Sequence, residues 1–283
     1  VAEQLVTASV PVRRRPKATL LIGIVLTGLI VLMALVSLFW LPYPLADTSG
    51  GRLEGPSALH LLGTDRLGRD LLSQLMWGAR IALVVGTCAV AIAAVLGTIV
   101  GLLAAFARPW VDDTLSAGLD VVIAFPVLLL AMLVVAVQGA SLWSAVLAIG
   151  LAMSAVVARL TRILARRVLQ EQYITAARTS GTGVLGVVFQ HVLPNIAPTL
   201  AVSLALQFGA AVLAEASLSY LGLGAPPPNA SWGRMLQEAQ GTVLTAPVGA
   251  IAPGVAIIAL VLGVNFLADG LRDLADPTRR RSR

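Results

Sequence analysis

The residues of this chain that could do chemistry are few and widely spaced. Histidine occurs only at His60 and His191 and cysteine only at Cys88, so a cluster of soft metal ligands is not expected and no intrachain disulfide can form. Lys17 is the only lysine, and it lies between Pro16 and Ala18, which excludes a Gly-Lys-Ser/Thr phosphate loop. Gly181, Gly183 and Gly186 spell Gly-x-Gly-x-x-Gly, but no strand precedes them and no acidic residue lies about 20 positions on, so dinucleotide binding is not expected. What remains is Asp120, Arg159 and Glu215, ionisable groups within long apolar runs, together with the polar Asn265. An ionised side chain at mid-bilayer costs about 2.5–3.5 kcal/mol on insertion scales, so such groups line a solute or ion path, pair, or reach back to water. No catalytic residue, metal site or cofactor of the chain's own is expected.

The elements that must hold these residues are membrane spans. Of 283 residues 58% are hydrophobic and 12% charged, against about a quarter charged in soluble domains. The expectation is an all-α integral membrane protein with six transmembrane helices. A basic tail, 1–17, precedes the first helix, 18–41; its charge-free run exceeds the about 7–15 residues of a cleavable signal peptide and is read as uncleaved. A loop over 42–78 follows, then a five-helix core over 79–271 and a basic tail over 272–283. Within the core the spans are read at 81–107, 115–137, 142–162, 195–221 and 248–267. Gly97 and Gly101 form a Gly-x-x-x-Gly that permits close helix contact. Pro194 and Pro198 suit the first turn of the fifth span, and Pro253 either kinks the sixth or marks its first turn. Asp120 and Arg159 fall at similar depths and either pair or snorkel separately; Glu215 either lines the solute path or meets the outer interface.

With the N-terminus inside, fifteen of the 20 Lys and Arg residues lie on the inner side, which fixes the orientation and accounts for a net charge of +6 without nucleic acid. The polar run 173–181 is then cytoplasmic. As a helix it places Tyr173, Ala176, Ala177, Ser180 and Gly181 on one stripe, an aromatic ring beside very small side chains, a face that another backbone can approach closely. Gly181 suits the left-handed position past the helix end.

This run resembles the coupling loop of permease subunits of ATP-binding-cassette importers, whose pattern is Glu-Ala-Ala, three residues, Gly, nine residues, Ile, one residue, Leu-Pro. Ala176, Ala177, Gly181, Leu193 and Pro194 match in register, whereas Thr175 replaces the Glu and His191 the Ile. The Thr removes one charged contact that the family pattern would supply. By the resemblance, a coupling loop over 163–193 presents Tyr173, Thr175, Ala176, Ala177, Arg178, Ser180, Gly181, Leu193 and Pro194 to an ATPase. The segment 60–80 is similar to the one before the second helix in peptide permeases. Here Thr64 or Asp65 can cap an amphipathic helix with Leu67, Leu71, Leu72, Leu75 and Met76 on one side and Arg69 and Asp70 on the other, suited to lie along the outer membrane face. The runs 215–224 and 226–236 resemble the family's external loop, 222–247, in which Ser231 can cap a short helix and Trp232 fits the interfacial aromatic belt. Asp65, Arg69, Pro227, Ser231 and Trp232 are then candidates to meet a solute-binding protein.

The resemblance implies a type I importer permease fold with both termini cytoplasmic, in a bacterial inner membrane. It implies a homologous second permease subunit, two cytoplasmic ATP-binding subunits (separate or fused) that hold ATP and magnesium, and an extracytoplasmic binding protein. The implied solutes are dipeptides and short oligopeptides, with nickel complexes and haem-like or opine-like solutes in the wider family. A proton- or ion-coupled transporter using Asp120 and Glu215 is the alternative, as is a non-transporting anchor or sensor. Uptake that follows ATP rather than the proton gradient separates the first reading from these.

Overall fold

Charge-free runs become helices here, and α4 and α8 stop at the positive-φ glycines Gly139 and Gly222. The structure, a computed structural model, describes residues 16–224, 226 and 229–275. Five helical stretches are long and apolar enough to cross a membrane, and a sixth is a pair bent at a break. The first, α1 (Pro16–Phe39), packs mainly along the last, α10 (Val248–Ala275), as an antiparallel neighbour. Small residues let the two backbones meet: a Cβ on Gly23 would lie 2.7 Å from the Leu267 nitrogen, and one on Gly263 would lie 2.9 Å from that of Thr27.

The second span starts earlier than the charge pattern implies. Helix α2 (Leu71–Phe106) has 36 residues, ~54 Å at ~1.5 Å per residue, and includes the segment expected to lie along the membrane face. Neither Thr64 nor Asp65 caps it; Asp70 does, accepting from the Ser73 amide at 2.7 Å. The reason is Gly68 at φ +82, which turns the chain after Asp65 and ends any helix begun there. The separate amphipathic helix is therefore replaced by a turn, closed by an isolated Thr64–Asp70 bridge, and by the first turns of α2.

Helix α5 (Leu142–Leu169) is the inner partner of α2 and the most enclosed of the five apolar stretches. The Gly97–Gly101 spacing does what it permits: a Cβ on Gly97 would lie 2.5 Å from the Val157 Cβ, and one on Gly101 2.6 Å from the Thr161 Cβ. Between them in sequence, the span expected over 115–137 is broken. Helices α3 (Pro109–Ala124) and α4 (Val127–Gln138) meet at 89°, because Pro126 forces Phe125 into extended backbone at φ −81, ψ 133. Alone, the 12 residues of α4 reach only ~18 Å, short of the ~30 Å hydrocarbon core.

Past α5 the expected loop over 163–193 is largely helical. It consists of the end of α5, α6 (Gln172–Thr179), a single turn α7 (Val184–Gly186), and a wide π-type run, Val187–Val192, that feeds α8 (Leu193–Tyr220) without a break. In that run the Leu193 amide reaches back to the Val188 carbonyl, immediately before Pro194, which has no N–H to offer. Pro198 lies inside α8 rather than at its start, and Pro253 lies inside α10, which continues past 267. A short helix α9 (Trp232–Ala239) packs against α8 and α10. Helices α6 and α9 thus cap opposite ends of the bundle.

Candidate functional site

At the α6 end, the site is a short amphipathic helix pinned by one side chain. Ile174 is 1% exposed and enters a cluster with Ala165 of α5, Val187 and Val192 of the π-type run, and Ile196 and Leu200 of α8; Leu102 and Phe106 of α2 pack around it. Burial of such a side chain is worth about 1.5–3 kcal/mol, enough to seat an eight-residue helix too short to be stable alone. Ala177, one turn on, is half-buried on the same inner line, so it is not part of the open stripe as the spacing alone suggests. Tyr173, Ala176, Ser180 and Gly181 are open, with Thr175 and Arg178 also exposed. The result is an outward face of small groups beside one aromatic ring. That ring lies 6.0 Å from His191, tying α6 to the run before α8.

The helix ends as the sequence requires. Gly181 adopts φ +91; its amide donates to Arg178 O and the Thr182 amide to Ala177 O, each at 3.0 Å, the paired bonds of a glycine-terminated helix. Arg178 in the last turn complements the helix dipole. Leu193 packs at the edge of the Ile174 cluster, and Pro194 is exposed in the first turn of α8.

At the α9 end, charged groups cross-link the loop to the short helix. Asp65 accepts from Arg69 Nε at 2.6 Å and from Gln74 Nε2 at 3.0 Å, and its other oxygen caps the Leu67 and Arg69 amides. Arg69 continues to Glu238 of α9 at 2.5 Å, and Glu238 accepts from Arg234 at 3.0 Å. Ser231 caps α9 as expected, accepting from the Arg234 amide at 3.3 Å. Trp232 is not in an interfacial belt: it is 1% exposed, stands against Gly78, and its indole N–H donates to Leu75 O at 2.9 Å. Asp65, Arg69, Ser231 and Trp232 therefore build the scaffold beneath this surface more than they present themselves on it. Pro227 lies outside the described residues.

Of the intramembrane candidates, Asp120 and Arg159 do meet, at 3.3 Å, but both are more than half exposed. The stronger bond involves a residue that sequence reasoning missed. Asp112 is 2% exposed and receives Arg162 through two bonds, 2.5 and 2.7 Å, and Arg166 at 2.5 Å. It joins the first turn of α3 to the segment of α5 that leads into α6. The available sequence signal was the i,i+4 spacing of Arg162 and Arg166, which places both on one face with a common acceptor. Glu215 lines no open space. It is 2% exposed, accepts from Ser219 at 2.6 Å and faces Ser231, so it serves the α8–α9 junction. Asn265 is half-buried on α10, with its Oδ1 3.5 Å from where a Cβ on Gly209 of α8 would be.

Residues 97–281 match the family described as binding-protein-dependent transport system inner membrane component. The dipeptide transport system permease protein of Alkalihalophilus pseudofirmus is 38% identical over 91% of this chain and 85% of its own. The glutathione transport system permease protein of Pectobacterium atrosepticum is 39% identical over 89% of this chain and 86% of its own. The di/tripeptide transport system permease protein of Pseudomonas aeruginosa is 39% identical over 90% and 86%. A crystal structure of an amino acid ABC transporter with histidines shares the fold at a TM-score of 0.55 and 19% identity, over 74% of this chain and 94% of that one.

Proposed function

The chain belongs to the family of inner membrane components of binding-protein-dependent transport systems, and from that premise we propose that it is the permease subunit of an ATP-driven importer of dipeptides or short oligopeptides. It is a non-catalytic transport component. The α6 end faces the cytoplasm, where two ATP-binding subunits, separate or fused, hold the small open face of α6; the α9 end receives a solute-binding protein outside. A homologous permease subunit completes the membrane body.

The observation that carries this reading is the build of α6. It is fixed at one point in a core shared by α2, α5 and α8 through Ile174, and it leaves Tyr173, Ala176, Ser180 and Gly181 uncovered. A helix so seated can transmit displacement to three spans at once. Closure of the ATPases then rocks the bundle from inward-facing to outward-facing; moving that equilibrium from 1:99 to 99:1 takes about 5.5 kcal/mol of differential affinity. Peptides are the proposed solutes because the relatives are named for dipeptides, di/tripeptides and glutathione.

Uptake of labelled dipeptide into proteoliposomes holding the complete assembly and its binding protein tests the proposal. Uptake should follow ATP and not a proton gradient. Ala176→Arg, which places bulk on the open face without touching the Ile174 core, should abolish uptake while the subunit still inserts and copurifies with the second permease. Wild-type uptake by Ala176→Arg counts against α6 as the contact; uptake driven by a proton gradient without ATP counts against the importer.

A further inference from the structure

One face of α8 carries polar groups that the fold does not use. Thr199, Ser203 and Gln207 recur at i, i+4 and i+8, a line about 12 Å long well inside a helix that spans the bundle. Buried or lipid-facing serines and threonines usually satisfy themselves by donating back along the helix, as Ser154 does to Leu151 O at 2.6 Å and Ser217 to Leu213 O at 2.8 Å. Thr199 and Ser203 make no such bond among the described residues, and both amide atoms of Gln207 are enclosed with no partner. Polar groups of this kind are disfavoured against lipid, so the open part of this face, at Thr199 and Ser203, belongs to water, to a solute or to the second permease subunit.

The end of this line that carries Thr199 and Ser203 borders an open cleft of about 430 Å³ bounded by Leu160 of α5, by Thr199, Val202, Ser203 and Leu206 of α8, and by Arg272 of α10, while Gln207 lies one turn further along α8. Arg272 has no ion pair among the described residues, Asp269 one turn earlier included, whereas on α5 Arg159 is held by Asp120 and both Arg162 and Arg166 by Asp112. Asn265 lies two turns before Arg272 on α10, towards the Gln207 end of the line. A planar guanidinium with its donors uncommitted matches a carboxylate bidentately, and the hydroxyls of Thr199 and Ser203 match the amides of a short peptide.

We propose that this cleft is a station on the solute path that accepts the free carboxylate of the transported molecule at Arg272, with its amide groups against Ser203 and Thr199. The proposal rests on the importer reading above and adds the chemical feature of the solute that the membrane subunit itself recognises.

The test uses the complete assembly in proteoliposomes with Cys88→Ser and Ser203→Cys, and two thiol reagents of similar size, an anionic sulfonatoethyl and a cationic trimethylammonioethyl methanethiosulfonate. One unpaired cation beside the thiol should favour the anionic reagent, and Arg272→Gln should lower the anionic-to-cationic rate ratio by at least about fivefold. Arg272→Lys should keep most of the preference, which separates lost charge from a damaged fold. A dipeptide with a free carboxylate should protect the thiol and its C-terminal amide should not. The proposal is overturned if Ser203→Cys is unreactive to both reagents, if Arg272→Gln leaves the ratio unchanged, or if acid and amide protect equally. Uptake measured on the same vesicles keeps the two ideas apart. ATP-driven peptide uptake with an unchanged ratio removes the station and leaves the importer. An anion preference with carboxylate protection but no peptide uptake keeps the station and removes the peptide reading.

Discussion

Replacing Asp112 by Asn removes one charge from the tie between α3 and α5 and leaves its shape almost intact. Asp112 is 2% exposed and takes three short bonds, two from Arg162 and one from Arg166. Breaking a wholly buried pair by changing one partner costs about 3–5 kcal/mol, because the remaining charge is left without compensation. Here the partners are not wholly buried: the Arg162 side chain is 21% exposed and that of Arg166 42%, so both guanidiniums can turn towards water. That relief lowers the expected loss to about 1–2.5 kcal/mol. Asp120→Asn is the internal control. Its pair with Arg159 is longer, 3.3 Å, with 59% and 55% of the side chains exposed, and should contribute under about 1 kcal/mol. Thermal unfolding of the purified assembly, followed by tryptophan fluorescence, should rank Asp112→Asn clearly below Asp120→Asn. A cycle with Arg162→Gln should return a coupling of at least about 1 kcal/mol. Equal melting of the two Asn variants, or a cycle that closes to zero, would refute the assignment of Asp112 as the principal α3–α5 tie.

Three further outcomes follow from the geometry. Gly181→Ala, at φ +91, should cost about 1 kcal/mol in the seating of α6 while Gly181→Asn costs less, read as faster amide exchange over 172–183 with little change in global melting. Trp232→Phe keeps the packing of the ring but strands the Leu75 carbonyl it now serves at 2.9 Å, and should lower stability by about 1–2 kcal/mol. Gly97→Leu would place its Cβ 2.5 Å from the Val157 Cβ and 2.7 Å from the Ser154 carbonyl, forcing α2 from α5; a loss of about 1–3 kcal/mol in the same melting assay is expected, against near-neutral Gly118→Ala, where nothing lies within 4 Å.

What could be read from the chain was whatever depends on local chemistry. Charge-free length located most spans, the four-residue glycine spacing located the α2–α5 contact, and Gly181 and Ser231 stand in the backbone positions their types favour. Misreadings arose where one residue overrides a pattern. Over 115–137 the absence of charge reads as one crossing, although Pro126 alone divides it at 89°. In 64–76 the apolar spacing is helical, although Gly68 delays the helix to Leu71. Contacts across 50 or more positions were the least legible: nothing near Asp112 announces Arg162 and Arg166, and nothing near Arg69 announces Glu238. Trp232 and Glu215 were assigned to membrane interface or pathway by residue type, and both prove to be interior joints of the α9 end.

These joints bear on how force would pass through the subunit. Along α5, Ala165 touches the Ile174 cluster, Arg162 and Arg166 hold Asp112, and Val157 and Thr161 meet the two glycines of α2. Ten residues of one helix, fewer than about three turns, thus carry the seat of α6, the tie to α3 and the closest contact to α2. A displacement delivered at α6 has no slack segment of α5 in which to dissipate, since α5 is the most enclosed of the apolar stretches and has no proline within it. Compliance lies elsewhere, at the right-angle break before α4 and in the π-type run before α8, where backbone bonding is already irregular. On this arrangement α5 would move as a rod and take α2 and α3 with it, with α4 and α8 the elements whose irregular backbone would absorb the difference. Thr199 and Ser203 lie on α8, so under the proposed station a change in their alignment with Arg272 would be the means by which motion at α6 altered the hold on a solute.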